Sequence, residues 1–178
     1  GTAEDTTWNV TGVDVGDVAG MLFAGMENLL GAADNMDTFV VGALGGLSGV
    51  LDGGVGGFDM LVLDGGSYDT VVYAASGPNS GTIVRDGQLI TYAGLEPIDD
   101  NMDAANRVIG TNPITPLDDR ATLTDNNDGT LTLAPVSPFL TFESITFNDP
   151  TSSLTINLGG DAGLPVVSKD VLTINSFD

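Results

Sequence analysis

The chain has no cysteine and no histidine, and its basic residues are scarce. Of its 178 residues, 4 are Lys or Arg and 25 are Asp or Glu, so the formal net charge is −21. Without cysteine the chain can form neither disulfides nor thiolate metal sites. Without histidine it lacks the usual general base, the usual zinc ligand and any Ser-His-Asp triad. Four cationic side chains cannot neutralise many phosphates, which excludes nucleic acid and anionic membrane surfaces as partners.

Long apolar runs are also missing. No run approaches the roughly 20 residues of a transmembrane helix, so we expect no membrane insertion. Hydrophobic residues nevertheless make up 42% of the chain, which indicates a packed core rather than disorder. The chain starts at Gly1 without Met, so we interpret it as a mature product or a piece of a longer protein.

Glycine and aspartate are abundant and recur in short motifs. Residues 51–66 read LDGGVGGFDMLVLDGG, a glycine-rich turn that leads through an aspartate into an apolar run and then begins again. The same unit, Asp followed by alternating apolar positions, recurs along the chain at Asp37, Asp59, Asp69, Asp119 and Asp170. The step from Asp37 to Asp59 is 22 residues, which is typical of one coil of a β-solenoid.

Strand and turn signals favour an all-β fold. Asp-Gly separates β-branched runs at 82–92 and 121–133, a pattern that predicts two hairpins. Apolar residues alternate with Thr or Ser over 144–148, 153–157 and 171–175, which predicts half-buried strands.

Two segments have helical features instead. Apolar residues between Val18 and Leu30 fall at helical spacing, and 99–110 resembles a short capped helix that ends at Gly110. The Pro-rich segment 111–116 follows, so we predict a linker there and two related units, 1–110 and 111–178, stacked on one another.

The predicted fold is therefore a parallel β-helix or β-solenoid with Gly/Asp-rich turns and one or two short helices. A β-sandwich assembled from the Asp-Gly hairpins is the alternative.

The glycine-rich turns also suggest a metal site. A calcium-binding nonapeptide repeat reads Gly-Gly-x-Gly-x-Asp-x-apolar-x, and residues 53–61 fit it with one extra residue before Asp59. Residues 31–39 form a weaker copy with the same insertion. Carboxylate and carbonyl oxygens are the ligands that Ca²⁺ prefers. The candidate ligands are Asp34, Asp37, Asp52, Asp59 and Asp64. In the alternative interpretation, Gly and Asp form the corners of the chain without a metal.

Two further sets of polar residues can be assigned roles. Glu27 and Glu96 share the motif aromatic-Ala-Gly-apolar-Glu, and Glu143 lies in a shortened form. We expect these glutamates to hydrogen-bond at a corner, with ligation of a second cation as the alternative. Arg85 and Arg120 adjoin aspartates, so we expect both to be solvated strand ends that offset local negative charge.

These motifs together resemble the RTX-like and haemagglutinin-like repeat modules of giant secreted bacterial surface proteins. The resemblance covers most of the chain, although every glycine-rich turn departs from the repeat by an insertion. It implies a non-catalytic structural module outside the bacterial cell, stabilised by Ca²⁺ and self-associating into filaments or joined in tandem copies. A glycan-binding adhesin domain is the alternative implied function, and a polysaccharide-active β-helix enzyme is the third.

Overall fold

The structure is a computed structural model in which residues 4–111, 119–138, 140–159 and 170–175 are described. All regular secondary structure in these ranges is β-strand, which confirms the all-β prediction. The strands are β1 Thr7–Gly12, β2 Val15–Val18, β3 Met21–Ala24, β4 Leu29–Leu30, β5 Thr38–Gly42, β6 Val50–Asp52, β7 Met60–Asp64, β8 Ser67–Gly77, β9 Ser80–Arg85, β10 Gln88–Ala93, β11 Ile98–Asp100, β12 Asp103–Gly110, β13 Arg120–Asp125, β14 Thr130–Pro135, β15 Ile145–Asn148, β16 Ser153–Asn157 and β17 Val171–Asn175.

The strands form two sheets of mixed direction. Sheet 1 has the order β17-β13-β14-β15-β11-β7-β5-β1-β2-β3, and sheet 2 has the order β16-β12-β8-β9-β10-β6-β4. From β3 to β8 the chain changes sheet after every strand, and it changes again after β10, β11, β12, β15 and β16. Each change of sheet requires a corner in the backbone.

Five consecutive strands of sheet 1 are parallel and in register. They run in the order β1, β5, β7, β11 and β15. The register aligns one core position from each strand into a row, namely Trp8, Phe39, Leu61, Ile98 and Ile145. All five of these side chains are buried, and Trp8 stacks on Phe39 with ring centroids 5.6 Å apart. Strand alternation thus turns the predicted apolar/polar pattern into a continuous core between the sheets.

The predicted hairpins and C-terminal strands are confirmed. Strands β9 and β10 pair antiparallel around Asp86-Gly87, and β13 pairs antiparallel with β14. Asp86 and Gly87 both have positive φ, as a tight hairpin turn requires. The three alternating segments near the C-terminus correspond to β15, β16 and β17, although β17 is exposed along its whole length rather than half-buried.

Both helix predictions are wrong. The segment from Val18 to Leu30 contributes to β2, β3 and β4, and its glycines at 20 and 25 form turns with positive φ. The segment 99–110 contains most of β11 and all of β12. Strand β12 pairs in parallel with β8 on one side and β16 on the other, so tertiary pairing overrides a weak local helix preference.

The division into units 1–110 and 111–178 stays a prediction. Most of the proposed linker 111–116 lies outside the described residues, which exclude 112–118. Strands from the two sides of residue 110 pair with one another in both sheets, β11 with β15 and β12 with β16.

Candidate functional site

Four of the acidic residues singled out from the sequence lie at one corner of the fold. This acidic corner lies where the chain enters sheet 1, and it consists of the turns 31–37, 53–59 and 94–97 together with residues 140–144. The register of the following strands places four acidic residues in a column, one from each segment. The column consists of Asp37, Asp59, Glu96 and Glu143. Adjacent members belong to neighbouring strands, whose backbones are about 4.8 Å apart.

Asp37 and Asp59, the first two members of the column, accept hydrogen bonds from backbone N–H groups. Asp37 accepts hydrogen bonds from the backbone N–H of Thr6 at 3.0 Å, from the N–H of Ala32 at 3.0 Å and from Asn35 Nδ2 at 2.9 Å. Asp59 Oδ1 accepts from the N–H of Asp37 at 2.7 Å. Both aspartates are buried. Each carboxylate therefore satisfies donors that the turn leaves unpaired.

The same arrangement recurs at the far end of sheet 1. Asp170 Oδ1 accepts from the backbone N–H of Asp119 at 3.1 Å, and Asp119 Oδ2 accepts from the Thr111 hydroxyl at 2.6 Å. Asp59 and Asp170 thus each accept from the backbone N–H of the aspartate that precedes the neighbouring strand.

Glu96 and Glu143, the other two members of the column, are only half-buried. Glu143 Oε1 accepts from the backbone N–H of Ser144 at 2.6 Å, and the pairing of Ile98 with Ile145 places Glu96 beside Glu143. Burial, opposed by the Ser144 N–H and aided by the nearby Glu96, raises the pKa of Glu143 to about 7. Burial also raises the pKa of Asp59, and nearby Asp37 and Glu96 act in the same direction.

Glycine is required where the acidic corner is tightest. A Cβ on Gly53 would overlap the carbonyl oxygen of Gly94 and lie 2.7 Å from Asp59 Cβ. Gly57 has φ of 86°, and a Cβ there would overlap the carbonyl oxygen of Asn35. Residues 51–66 are therefore glycine-rich because their turn packs closely between the turns before and after it.

A cavity of about 70 Å³ opens on this corner. It is lined by Gly54, Gly56, Gly57, Asp59, Asn79, Gly94 and Glu96. Two carboxyl groups of the column therefore border space that water can enter.

The five predicted calcium ligands do not converge on one point of this corner. Asp37 and Asp59 use their carboxylates on backbone donors, and Asp52 Oδ1 accepts from the N–H of Gly54 at 3.0 Å. Asp34 is exposed with φ of 59°, and Asp64 is exposed at the end of β7. Within the described ranges no three His, Cys, Asp or Glu side chains are grouped to hold a metal ion.

At the opposite corner the chain leaves sheet 1. Two buried arginines, Arg85 and Arg107, lie at its centre, and we call this region the arginine corner. Arg107 forms an ion pair with Asp100, and both also hydrogen-bond the Tyr73 hydroxyl. Arg107 Nε donates to the carbonyl of Asn148 at 3.2 Å, and the guanidinium lies 5.3 Å from the ring centroid of Phe147. All of these charges are removed from water and satisfied by one another.

The second arginine, Arg85, binds the connection between β5 and β6. Its Nη2 donates to the carbonyl of Gly42 at 2.9 Å and also to that of Gly45, and its Nε donates to Gln88 Oε1 at 2.8 Å. Burial lowers the pKa of Arg85, with nearby Tyr68 and Asp100 opposing. Arg85 is 1% exposed, so the prediction that it is a solvated strand end is wrong, whereas Arg120 is exposed as predicted.

A signal for the buried arginines exists in the sequence. Arg85 follows Ile83 by two residues, and Arg107 precedes Ile109 by two, so each shares a strand face with a core isoleucine. Proximity to acidic neighbours suggested exposure, but the period of two indicated burial.

Compared with known proteins, the chain matches no family model and has no significant match among curated proteins or solved structures. The described residues contain no helix long and apolar enough to cross a membrane.

Proposed function

We propose that the chain is a β-solenoid module with a non-catalytic, structural role in a large extracellular protein of a bacterial surface or matrix. The in-register parallel run of β1, β5, β7, β11 and β15 supports a solenoid over a hairpin sandwich, because a sandwich of hairpins would pair mainly antiparallel. Stacked coils extend by repetition, and such architectures serve as scaffolds.

The observation that carries the structural role is the character of the two ends of the stack. Among the described strands, the last ones at one end are β3 and β4, where Leu22 is 87% and Leu30 57% exposed. At the other end lies β17, where Ile174 is 58% exposed although it is in register with buried Leu123. Apolar edge strands of this kind favour pairing with another strand. Self-association or tandem repetition end to end would cover them.

The buried arginines and aromatics support this proposal over its alternatives. An enzyme of the β-helix type needs a basic side chain beside a carboxylate pair in a cleft, but Arg85 and Arg107 are committed to carbonyls and to Asp100 in the core. A glycan-binding face needs a row of exposed aromatic rings, whereas Trp8, Tyr73 and Tyr92 are buried and Phe58, which is 62% exposed, lies in a turn.

Sedimentation velocity over a wide protein concentration range tests the association. We expect oligomers that grow with concentration, and we expect Ile174→Asp or Leu22→Asp to shift the distribution to monomer. Val55→Asp is the matched control, because Val55 is 81% exposed but lies in a turn of the acidic corner. A wild-type chain that stays monomeric at every concentration, or equal responses of all three variants, would contradict association through the ends.

Calcium enters the proposal as an ion that would offset the net charge of −21 outside the cell. Thermal unfolding in CaCl₂, in matched MgCl₂ and in EGTA tests this part separately. A rise in the midpoint with Ca²⁺ alone would support specific binding, since ligand binding to the native state stabilises it. Equal midpoints in all three solutions would exclude calcium from the proposal and would leave the proposed structural role unaffected.

A further inference from the structure

We propose that sheet 1 continues from one copy of the chain into the next, with β3 of one copy pairing in parallel with β17 of its neighbour. This pairing rests on the proposed self-association, and it identifies the two surfaces that make the contact. Because β3 and β17 are different surfaces, the contact repeats along the stack without closing and generates an open filament.

The two outermost strands of sheet 1 run in the same direction. β2 is antiparallel to β1, and β3 is antiparallel to β2, so β3 has the direction of β1. At the other end, β14 is antiparallel to β15, β13 is antiparallel to β14 and β17 is parallel to β13, so β17 has the direction of β15. Because β1 and β15 belong to one parallel run, a second copy shifted along the stack without rotation places its β17 parallel to β3.

Each of these strands has one edge with no strand paired to it. In the part of the chain that the structure describes, β3 pairs with β2 alone and β17 pairs with β13 alone. Such an edge presents backbone N–H and C=O groups to another strand, and the addition of a strand satisfies them.

β3 directs apolar side chains to the side of sheet 1 that forms the core. The register through β2 aligns Met21 with Trp8 and Phe23 with Val10, and both of these β1 residues are buried. Phe23 packs partly against the core, whereas Met21 is 67% exposed. The core side of the sheet therefore ends at β3 with apolar surface still exposed.

β17 has the same property at the other end of sheet 1. Leu172 is in register with buried Ala121, and Ile174 is in register with buried Leu123. Leu172 is nevertheless 38% exposed and Ile174 58% exposed. The core side of the sheet therefore ends with exposed apolar surface here as well.

The apolar side chains of the two strands match in spacing. Met21 and Phe23 are two residues apart on β3, as Leu172 and Ile174 are on β17. A parallel register that places Met21 beside Leu172 also places Phe23 beside Ile174, and all four stay on the core side. Each copy then covers the apolar edge of its neighbour with side chains of the same kind.

The edge strands also lack the charges that keep sheet edges apart. Neither β3, MLFA, nor β17, VLTIN, contains a charged residue or a proline, in a chain of net charge −21. The strands next to them carry opposite charges on the outer face of sheet 1, Asp17 on β2 and the exposed Arg120 on β13. Pairing β3 with β17 brings unlike charges toward one another, whereas pairing either strand with its own copy brings like charges together.

Disulfide cross-linking between copies tests the pairing, because the chain has no cysteine of its own. Leu22 and Thr173 are exposed on the outer face, and the proposed register places them side by side. Within one copy, β3 and β17 are the opposite edges of a 10-stranded sheet, so a disulfide between these positions must join two copies.

Oxidation of Leu22→Cys/Thr173→Cys, at a concentration where the wild type forms oligomers, should give a ladder of linked copies on a non-reducing gel. Each single-cysteine variant should stay unlinked on its own, and a mixture of the two should give a linked dimer. Val55→Cys/Thr173→Cys is the matched control, because Val55 is 81% exposed but lies in the acidic corner. This control should give no ladder.

Hydrogen exchange of the unmodified chain is a second readout. The backbone N–H groups of β3 and β17 should both exchange more slowly in concentrated than in dilute protein. Linked dimers from one single-cysteine variant alone, or slower exchange in one strand but not the other, would overturn the pairing in favour of a symmetric contact. Oligomers in sedimentation without a ladder or slower exchange would overturn the pairing but leave self-association intact, whereas a monomeric wild type would overturn both.

Discussion

The acidic corner and the arginine corner solve the same physical problem with opposite charges. Where the chain enters sheet 1, the turns leave backbone N–H groups without partners, and carboxylates such as Asp37 and Asp59 accept from them. Where the chain leaves sheet 1, the connections leave carbonyls without partners, and Arg85 and Arg107 donate to them. Buried backbone groups must be paired, and a charged side chain pairs several at once.

The two corners differ in how their charges are balanced. Arg107 is matched by Asp100, so the arginine corner contains a complete ion pair. The acidic column places four carboxyl groups at successive strand starts, and burial raises the pKa of Glu143 among them to about 7. We therefore expect the stability that the arginine corner contributes to be insensitive to pH near neutrality. The stability that the acidic corner contributes should change with pH in the same range.

The largest effect is expected from Arg107→Met. This change leaves Asp100 buried without its cation and removes the guanidinium group that donates to the Tyr73 hydroxyl. We therefore expect a loss of about 3–5 kcal/mol in the free energy of unfolding. Urea denaturation measures it. The double variant Arg107→Met/Asp100→Leu should lose less than the single variant, because no unpaired charge remains. A double variant that is worse than the single one would contradict the ion-pair account.

Asp37→Ala should have the next largest effect. It removes the acceptor of two backbone N–H groups and of Asn35 Nδ2 in a buried turn, which we expect to cost about 3 kcal/mol. The matched control is Asp64→Ala, whose side chain is exposed, with an expected change within about 0.5 kcal/mol. Equal losses in the free energy of unfolding for the two variants in chemical denaturation would show that the hydrogen bonds of Asp37 do not stabilise the acidic corner.

Gly53→Ala should cost somewhat less, about 1–3 kcal/mol, because the turn must shift to relieve the overlap with Gly94 and Asp59. Gly77→Ala is the control, since a Cβ at Gly77 meets no atom within 4 Å. Differential scanning calorimetry of the two variants measures the difference. If both melt together, the glycine-rich turn is not the close contact that we describe.

Local signals in the sequence predicted the strands and hairpins but not the column. Alternation over 144–148 and the Asp86-Gly87 turn depend on neighbouring residues, and both predictions are confirmed. The column depends on which strands stack. Its first step, Asp37 to Asp59, is regular, but the hairpin formed by β9 and β10 then separates Asp59 from Glu96 and hides the period.

The aspartates and glutamates illustrate the limit of motif reasoning. The motif directed attention to Asp37 and Asp59, yet their carboxylates bind backbone N–H groups of adjacent turns, which no local pattern specifies. Glu96 and Glu143 come together because Ile98 pairs with Ile145, a contact between segments far apart in the chain. Local chemistry indicated a corner, whereas the partner of each side chain was set by register.

Disulfide cross-linking tests the parallel register most directly, because the chain has no cysteine of its own. Val40 pairs with Val62, and Val62 pairs with Asp99, all on the outer face of sheet 1. Adjacent parallel positions fit a disulfide, whereas positions two strands apart, about 9.6 Å, do not. We expect Val40→Cys/Val62→Cys to form an intramolecular disulfide under mild oxidation and Val40→Cys/Asp99→Cys to remain reduced. Cross-linking of the second pair but not the first would contradict the register that builds both corners.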